Sequence, residues 1–242
     1  FRTGPPPKLM SPEYTRAYNE VKNLGSATAS DRTHDQTELA NFWNGNFPGQ
    51  FNALARALAI SEGLSISESS RLLALNAVSM ADALITAWDS KVHYNFWRPI
   101  SAIQFGDSDG NSKTDGDAAW LPFVGTPPYS DHTSGANSLS GSSMRALSLI
   151  FGGNMDFEIT TTNPGPTVND TRSYSKFSEV RDEVVEARIL QGIHFRFADV
   201  DARKQGEHIA QWAHSHYFRP VGEKFATENF DAETFLLGFR KP

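Results

Sequence analysis

The sequence predicts an all-α fold, a helical bundle with two long loops. Three observations predict it: helix-start signatures recur along the chain, the longest apolar segment keeps a three-and-four spacing, and no stretch shows the strong alternation of a strand. The 242 residues fit one large domain at a prior of ~150 residues per domain, and residues 1–242 are read as a single catalytic helical domain. Ser11-Pro12-Glu13 gives a cap followed by proline in the first turn, opening a helix that ends near Leu24-Gly25. Thr33 caps a second helix through Trp43. Pro48-Gly49 opens a third through Ile60, with Gly63 as its stop. Ser65 and Glu68 form a capping box, and the helix it opens runs to Trp88 or Lys91, with Leu72, Leu75, Val78, Met80, Leu84 and Trp88 as its apolar positions.

A long loop follows from Pro99 to Thr133. Ser134 to Phe151 reads as a helix broken by Gly152-Gly153. Residues 154–173, rich in Asn, Thr, Pro and Gly, read as loop or short strands. Ser178 caps a helix expected to run through Phe197. Val200 or Asp201 begins another to Phe218, and the tail from Arg219 is irregular. No internal repeat is visible.

Composition removes several function classes. Lys and Arg number 22 against 28 Asp and Glu, a net charge of −6. That argues against a nucleic-acid partner, which needs a basic face. The absence of cysteine excludes disulfides, thiolate metal sites and Cys nucleophiles. No run reaches the ~20 uninterrupted apolar residues of a membrane span; the best candidate, Leu72 to Trp88, is interrupted by Asn76, Ser79 and Asp82. A soluble chain is expected, with secreted or periplasmic placement left open. The start at Phe1, followed by Pro5-Pro6-Pro7, reads as a processed or trimmed piece of something longer. The sequon Asn169-Asp170-Thr171 reads as a chance occurrence.

Three segments carry chemistry. Lys91 is followed after six residues by Arg98-Pro99. Pro127 to Ala136 contains Tyr129, Asp131, His132, Thr133, Ser134 and Gly135. Arg188 is followed after five residues by His194. Lys91, Arg98 and Arg188 supply positive charge. Ser134 and the Gly135 amide stand at a helix start, where anions are favoured. Guanidinium forks match oxyanions bidentately. His194 brings an imidazole nitrogen able to act as nucleophile or metal ligand. Together these make a cradle for a tetrahedral oxyanion, with an imidazole aimed at its central atom.

These three segments, in this order and spacing, resemble the motifs of the vanadium-dependent haloperoxidase and type-2 phosphatidic-acid phosphatase superfamily: Lys-six-Arg-Pro, Pro-Ser-Gly-His, and Ser-Arg-five-His-three-Asp. Asp89-Ser90-Lys91, Trp97-Arg98-Pro99, Thr126-Pro127-Pro128 and Gly192 to Phe197 resemble its bacterial and fungal haloperoxidase branch. The resemblance implies a helical bundle of the haloperoxidase and acid-phosphatase type. It implies that Lys91, Arg98, Ser134, Gly135 and Arg188 bind vanadate, or phosphate in the same site. His194 is then the axial vanadium ligand, or the nucleophile of a phosphatase. It implies hydrogen peroxide, halide and a small organic substrate as partners. Family members are longer, so the chain reads as the C-terminal half of that architecture, partnered by an N-terminal half or by a second copy.

Four positions depart from the motifs. Thr133 replaces Pro, Ala187 replaces Ser, and Ala198 replaces Asp, with Asp199 directly following. The fourth is Ala136, where the family has its acid–base His. Loss of such a group typically costs ~10²–10⁴-fold in rate. Oxyanion binding is expected to survive it. His132 reaches the cradle only if its loop bends. Three functions therefore remain: an impaired haloperoxidase, a phosphatase acting through His194 on esters with good leaving groups, and an oxyanion-binding scaffold without redox turnover. Tyr129 is an active-site wall or an ordinary loop aromatic. His93 reads as structural or supporting the site, and His208, His214 and His216 as surface or core histidines. Asp107 to Asn111 reads as an Asp/Gly turn rather than a calcium loop, and Phe96, Trp97, Phe195 and Phe197 as packing around the site.

Overall fold

A computed structural model describes residues 1–163 and 170–219. Asn169 of the sequon and the tail beyond Arg219 lie outside the described residues. The described chain runs α1 (Pro12–Leu24), α2 (His34–Phe42), α3 (Phe47–Ser61), α4 (Ile66–Tyr94), α5 (Pro99–Gln104), α6 (Gly135–Phe151), β1 (Asn154–Thr160), β2 (Thr171–Lys176), α7 (Phe177–Leu190) and α8 (Arg196–His216).

The capping chemistry sets the helix starts. Ser11 accepts from the Tyr14 amide with Pro12 in the first turn. Thr33 with Gln36, and Ser65 with Glu68, form reciprocal capping boxes. α3 starts slightly earlier than Pro48: Asn46 caps it by accepting from the Gly49 amide. β1 and β2 form an antiparallel hairpin, a small exception to an otherwise helical fold. Phe157 and Tyr174 are paired across it and buried, and the Phe157 ring stacks on Phe177. The loop expected from Pro99 to Thr133 contains the short α5.

α4, α6 and α8 form the centre. α6 and α8 cross with their backbones almost touching. A Cβ added to Gly141 would lie 2.3 Å from the Arg203 carbonyl oxygen, and one added to Gly206 would lie 2.3 Å from that of Ser138. Around this seam sit the small buried residues Ser138, Ser142, Ala202 and Ala210. One core, from Phe42 and Trp43 through Leu147 to Val184, packs α3, α4, α6, α7 and the hairpin. A second, with Tyr14, Tyr18, Ile103, Phe195 and Phe197, packs α1 and α5 against the end of α7 and the start of α8.

By length and mean hydropathy α4 meets the composition test for a membrane-crossing helix, which the polar interruptions had argued against. In the bundle Asn76 and Ser79 are fully buried, and Ser143 of α6 donates to Asn76 Oδ1 at 2.7 Å. That is how a helix packed against protein satisfies its polar groups.

Candidate active site

Lys91 lies in the last turn of α4 and Arg98 caps α5. In an unbroken helix seven residues would separate them by ~10 Å along the axis. Asn95 prevents that. It takes the left-handed conformation at φ 43°, which asparagine tolerates, and its amide closes α4 on the Lys91 carbonyl. The chain then doubles back, and both cations stand near one ring: Lys91 Nζ is 5.1 Å and the Arg98 guanidinium 4.9 Å from the Tyr129 centroid. Tyr129 is thus a wall of the cradle. Lys91 Nζ donates to the Ser130 and Asp131 carbonyls, each at 2.8 Å. Arg98 Nε donates to the Tyr129 carbonyl at 2.8 Å and Nη1 to that of Ile193 at 2.6 Å. All three basic side chains of the predicted cradle are buried.

Ser134 caps α6 and Gly135 is its first residue. The glycine is needed because a Cβ there would stand 3.0 Å from the Trp88 ring. The Ser134 amide donates to the Ala198 carbonyl at 3.0 Å, tying the α6 start to the α8 start. The Ser134 hydroxyl accepts from the Asn137 amide and side chain, each at 3.4 Å. Asn137 Nδ2 donates to Asp199 Oδ1 at 2.7 Å. The predicted anion-binding hydroxyl therefore stands beside a buried carboxylate, linked to it through Asn137.

Arg188 occupies the last turn of α7, and the helix does not continue to Phe197 as the sequence suggested. Gly192 at φ +78° ends it: the Gly192 amide bonds to Ile189 O and the Ile193 amide to Arg188 O. This is a Schellman termination. Here too glycine is required twice over, since a Cβ would meet the Gly25 carbonyl at 2.3 Å. The stop leaves His194 in a tight connection, and α8 begins at Arg196, earlier than Val200. Arg196 fixes that start by pairing with Glu20 of α1 and Glu186 of α7. Arg188 Nη1 donates to Gln191 Oε1, and Gln191 Nε2 to the Ala40 carbonyl, both at 2.6 Å.

His194 is buried beside Arg98, with Nη1 3.1 Å from Nε2. Its Nδ1 lies 2.7 Å from Asp131 Oδ1; the oxygen approaches off the ring N–H axis, so the contact is short without being a fully aligned hydrogen bond. Burial, then Arg98, Lys91 and Arg188, hold the imidazolium well below its ordinary range, so His194 is neutral. Burial and the neighbouring Arg98 lower the Lys91 ammonium. Burial pushes Arg188 down to about 10, with Asp199 opposing. Burial raises both Asp131 and Asp199, although cations surround them.

The structure brings Lys91, Arg98, Ser134, Gly135, Arg188 and His194 together, and the two buried carboxylates, Asp131 and Asp199, join them. Arg98 Nη2 and Arg188 Nε are buried without a hydrogen-bond partner. Buried guanidinium N–H groups left open are costly unless an anion meets them. The residues present therefore fit vanadate or phosphate: an acceptor-rich oxyanion supplies what these donors lack. Ala136 is half-buried against the larger core. His132 does not replace the missing acid–base group, because its Nε2 faces Thr3 Oγ1 and the Gly4 carbonyl, each at 3.2 Å.

The remaining sequence candidates lie elsewhere. His93 is exposed on the last turn of α4 rather than supporting the cradle. Asp107, Asp109 and Asn111 close a turn among themselves and with Gly116, Lys113 and Thr114. Among the described residues, no group of three or more His and acidic side chains is placed to hold a metal ion. Phe96, Phe195 and Phe197 pack on one another within 6.0 Å.

Fold and site together define a helical bundle with a buried cluster of three cations and a histidine at the meeting of α4, α5, α6 and the α7–α8 connection. Residues 71–223 match the VCPO second helical-bundle domain, and the chain belongs to that vanadium haloperoxidase family. It is 28% identical to the vanadium chloroperoxidase of Curvularia inaequalis, over 63% of this chain and 30% of that protein. The structure of the first bacterial vanadium-dependent iodoperoxidase superposes with a TM-score of 0.73 at 26% identity, over 87% of this chain and 52% of the other. A holo-type bacterial vanadium-dependent chloroperoxidase gives 0.66 at 17% identity, over 83% and 47%, and supports the fold alone. The chain thus spans about half the length of these solved relatives.

Proposed function

We propose that this chain is the oxyanion-binding catalytic bundle of a vanadium-dependent haloperoxidase, weakened in turnover by Ala136. The observation that carries the reading is the pair of open, buried guanidinium N–H groups on Arg98 and Arg188 beside the neutral imidazole of His194. Lys91, Arg98, Arg188, Ser134 and the Gly135 amide would hold the oxygens of vanadate, and His194 its central atom. When bound, vanadate supplies the activation of hydrogen peroxide that halide oxidation requires. The chain's own contribution is charge, shape and exclusion of water. Arg98 and Arg188 present fixed donors, Lys91 is anchored on two carbonyls, and Trp88 and Tyr129 wall the opening.

Ala136 and the buried Asp199 carboxylate next to Ser134 favour a second reading on the same site: an oxyanion-binding homologue with little or no turnover. One experiment separates the two. Vanadate and phosphate binding are measured by calorimetry, and peroxide-dependent bromination is followed for the wild type and for Ala136→His. The expected result is binding of both anions, slow bromination by the wild type, and a gain of ~10²-fold or more in the variant. Binding without bromination by either protein selects the scaffold reading. Absence of binding overturns both.

A further inference from the structure

We propose that Asp131 is the positioning residue for His194: its carboxylate holds the ring in the Nδ1–H form and leaves the Nε2 lone pair free for the oxyanion's central atom. The proposal rests on the oxyanion reading above for its ligand and on three independent observations for its geometry.

The first is the contact. Asp131 is fully buried, and its Oδ1 is 2.7 Å from His194 Nδ1. The oxygen lies off the N–H axis; the other polar neighbours of the carboxylate are the Phe195 backbone amide and, at 3.9 Å, Arg98 Nη1. A buried carboxylate needs a donor, and this ring nitrogen is within hydrogen-bonding distance. The second is the other side of the ring. Arg98 Nη1 stands 3.1 Å from Nε2, nearer than its 3.5 Å to Nδ1, and a guanidinium can only donate. A proton on Nε2 would set donor against donor, so the arrangement favours a bare Nε2 and a protonated Nδ1. The third is a substitution within the chain. The motif carboxylate four residues past the histidine is Ala198 here, fully buried and without a polar group. Asp199 does not take over, because its Oδ1 accepts from Asn137 Nδ2 at 2.7 Å. The carboxylate beside His194 instead arrives from the segment before α6.

Asp131 is itself held in place. Its carbonyl accepts from Lys91 Nζ at 2.8 Å, and its amide donates to the Phe96 carbonyl at 2.8 Å. Its orientation thus follows from the same turn that brings Lys91 and Arg98 together. A histidine ligand or nucleophile generally needs such a partner to fix tautomer and ring angle.

The test uses histidine labelled with 15N in the ring, in the anion-free protein at neutral pH. Long-range proton–nitrogen correlation reads the tautomer of His194, assigned by comparison with His194→Gln. The wild type should show Nδ1–H, and Asp131→Ala should shift the ring towards Nε2–H. Asp131→Asn retains an acceptor for Nδ1–H and should preserve the tautomer. A second measurement compares anions. Phosphate binding to the cradle needs the cations and not a bare Nε2, whereas vanadate needs both. Asp131→Ala should therefore lose at least tenfold in vanadate affinity while phosphate affinity holds or rises, since a buried negative group has been removed. Equal loss of both anions would mark a structural role only and overturn the proposal. So would an Nε2–H tautomer in the wild type, a reading that needs no variant to fold. If the wild type binds neither anion, the oxyanion reading fails, and the tautomer measurement still decides the role of Asp131.

Discussion

His132 is fully buried, its Nε2 against Thr3 and the Gly4 carbonyl, and burial pushes its imidazolium down to about 4. The unfolded chain takes a proton there near the ordinary value of 6.5, so in this window the unfolded state binds more protons than the fold. Stability from the neutral ring is complete above pH 6.5 and is lost as the pH falls towards 4. At pH 4.5 the loss is on the order of 2–3 kcal/mol. Urea unfolding of the wild type and of His132→Gln at pH 7.5 and 4.5 checks this: the wild type should lose about that much more than the variant. Parallel losses would refute it. The comparison is between proteins because Asp131 and Asp199, both raised by burial, pull the opposite way in both. At Arg188 a different property matters. Its Nη1 is held on Gln191 while Nε stays open, so the planar fork is used from two sides. Arg188→Lys keeps the charge and loses the fork, and phosphate affinity should fall about tenfold, a ~1.4 kcal/mol loss. Unchanged affinity on titration would mean that Arg188 serves the fold rather than the anion. The cationic members of this site were legible because their spacing is a motif. Asp131 was not, since its contact with His194 spans 63 residues and a lone carboxylate in a loop carries no periodic signal. His132, two residues before Ser134, looked closer to the cradle than it is because sequence distance says nothing about side-chain direction.

The starts of α1, α2 and α4 were readable for a physical reason, whereas Ser178, expected as a cap, lies inside α7, whose N-cap is Lys176. Ser, Thr and Asn caps, with Gln36 or Glu68 reaching back, satisfy orphan amides locally, so their signature sits within four residues. The end of α7 was equally local, written in Gly192, although the helix was expected to run on to Phe197. Phe195 and Phe197 face the second core from a connection and a new helix start, not from one continuing helix. The hairpin was readable only as loop or short strands, because only Phe157, Ile159 and Tyr174 are buried along it, too few to show clear alternation. The α6–α8 seam was illegible for the opposite reason: close backbone approach is a property of two helices, and Gly141 or Gly206 alone looks like a weak point in a helix. In the structure each added Cβ would meet the opposing backbone, which has no side chain to move aside. Gly206→Ala should therefore destabilise by about 3 kcal/mol, the upper end of overpacking costs, despite alanine's better helix propensity. Denaturant unfolding at neutral pH measures it. A neutral or stabilising result would show that the two helices are free to move apart.

At the scale of the molecule, the cradle has no home in any single element. Its cations come from the end of α4, the start of α5 and the end of α7, its amide from the start of α6, and its imidazole from the connection into α8. An anion that bridges these groups ties together segments that unfolding separates, so binding must appear as stability. At a phosphate concentration one hundredfold above Kd the gain is about 2.7 kcal/mol, or roughly 5–10 °C in melting temperature for a domain of this size. Phosphate also strengthens burial in any protein by exclusion from the surface, so a rise alone decides nothing. The discriminating comparison is Arg98→Gln together with Arg188→Gln, which removes both open guanidiniums and leaves the surface unchanged. Scanning calorimetry of the two proteins across a phosphate series should show a saturating rise in the wild type and only a shallow linear one in the double variant. If the two rise in parallel, the stabilisation is a solvent effect, and the cradle holds no anion despite its open donors.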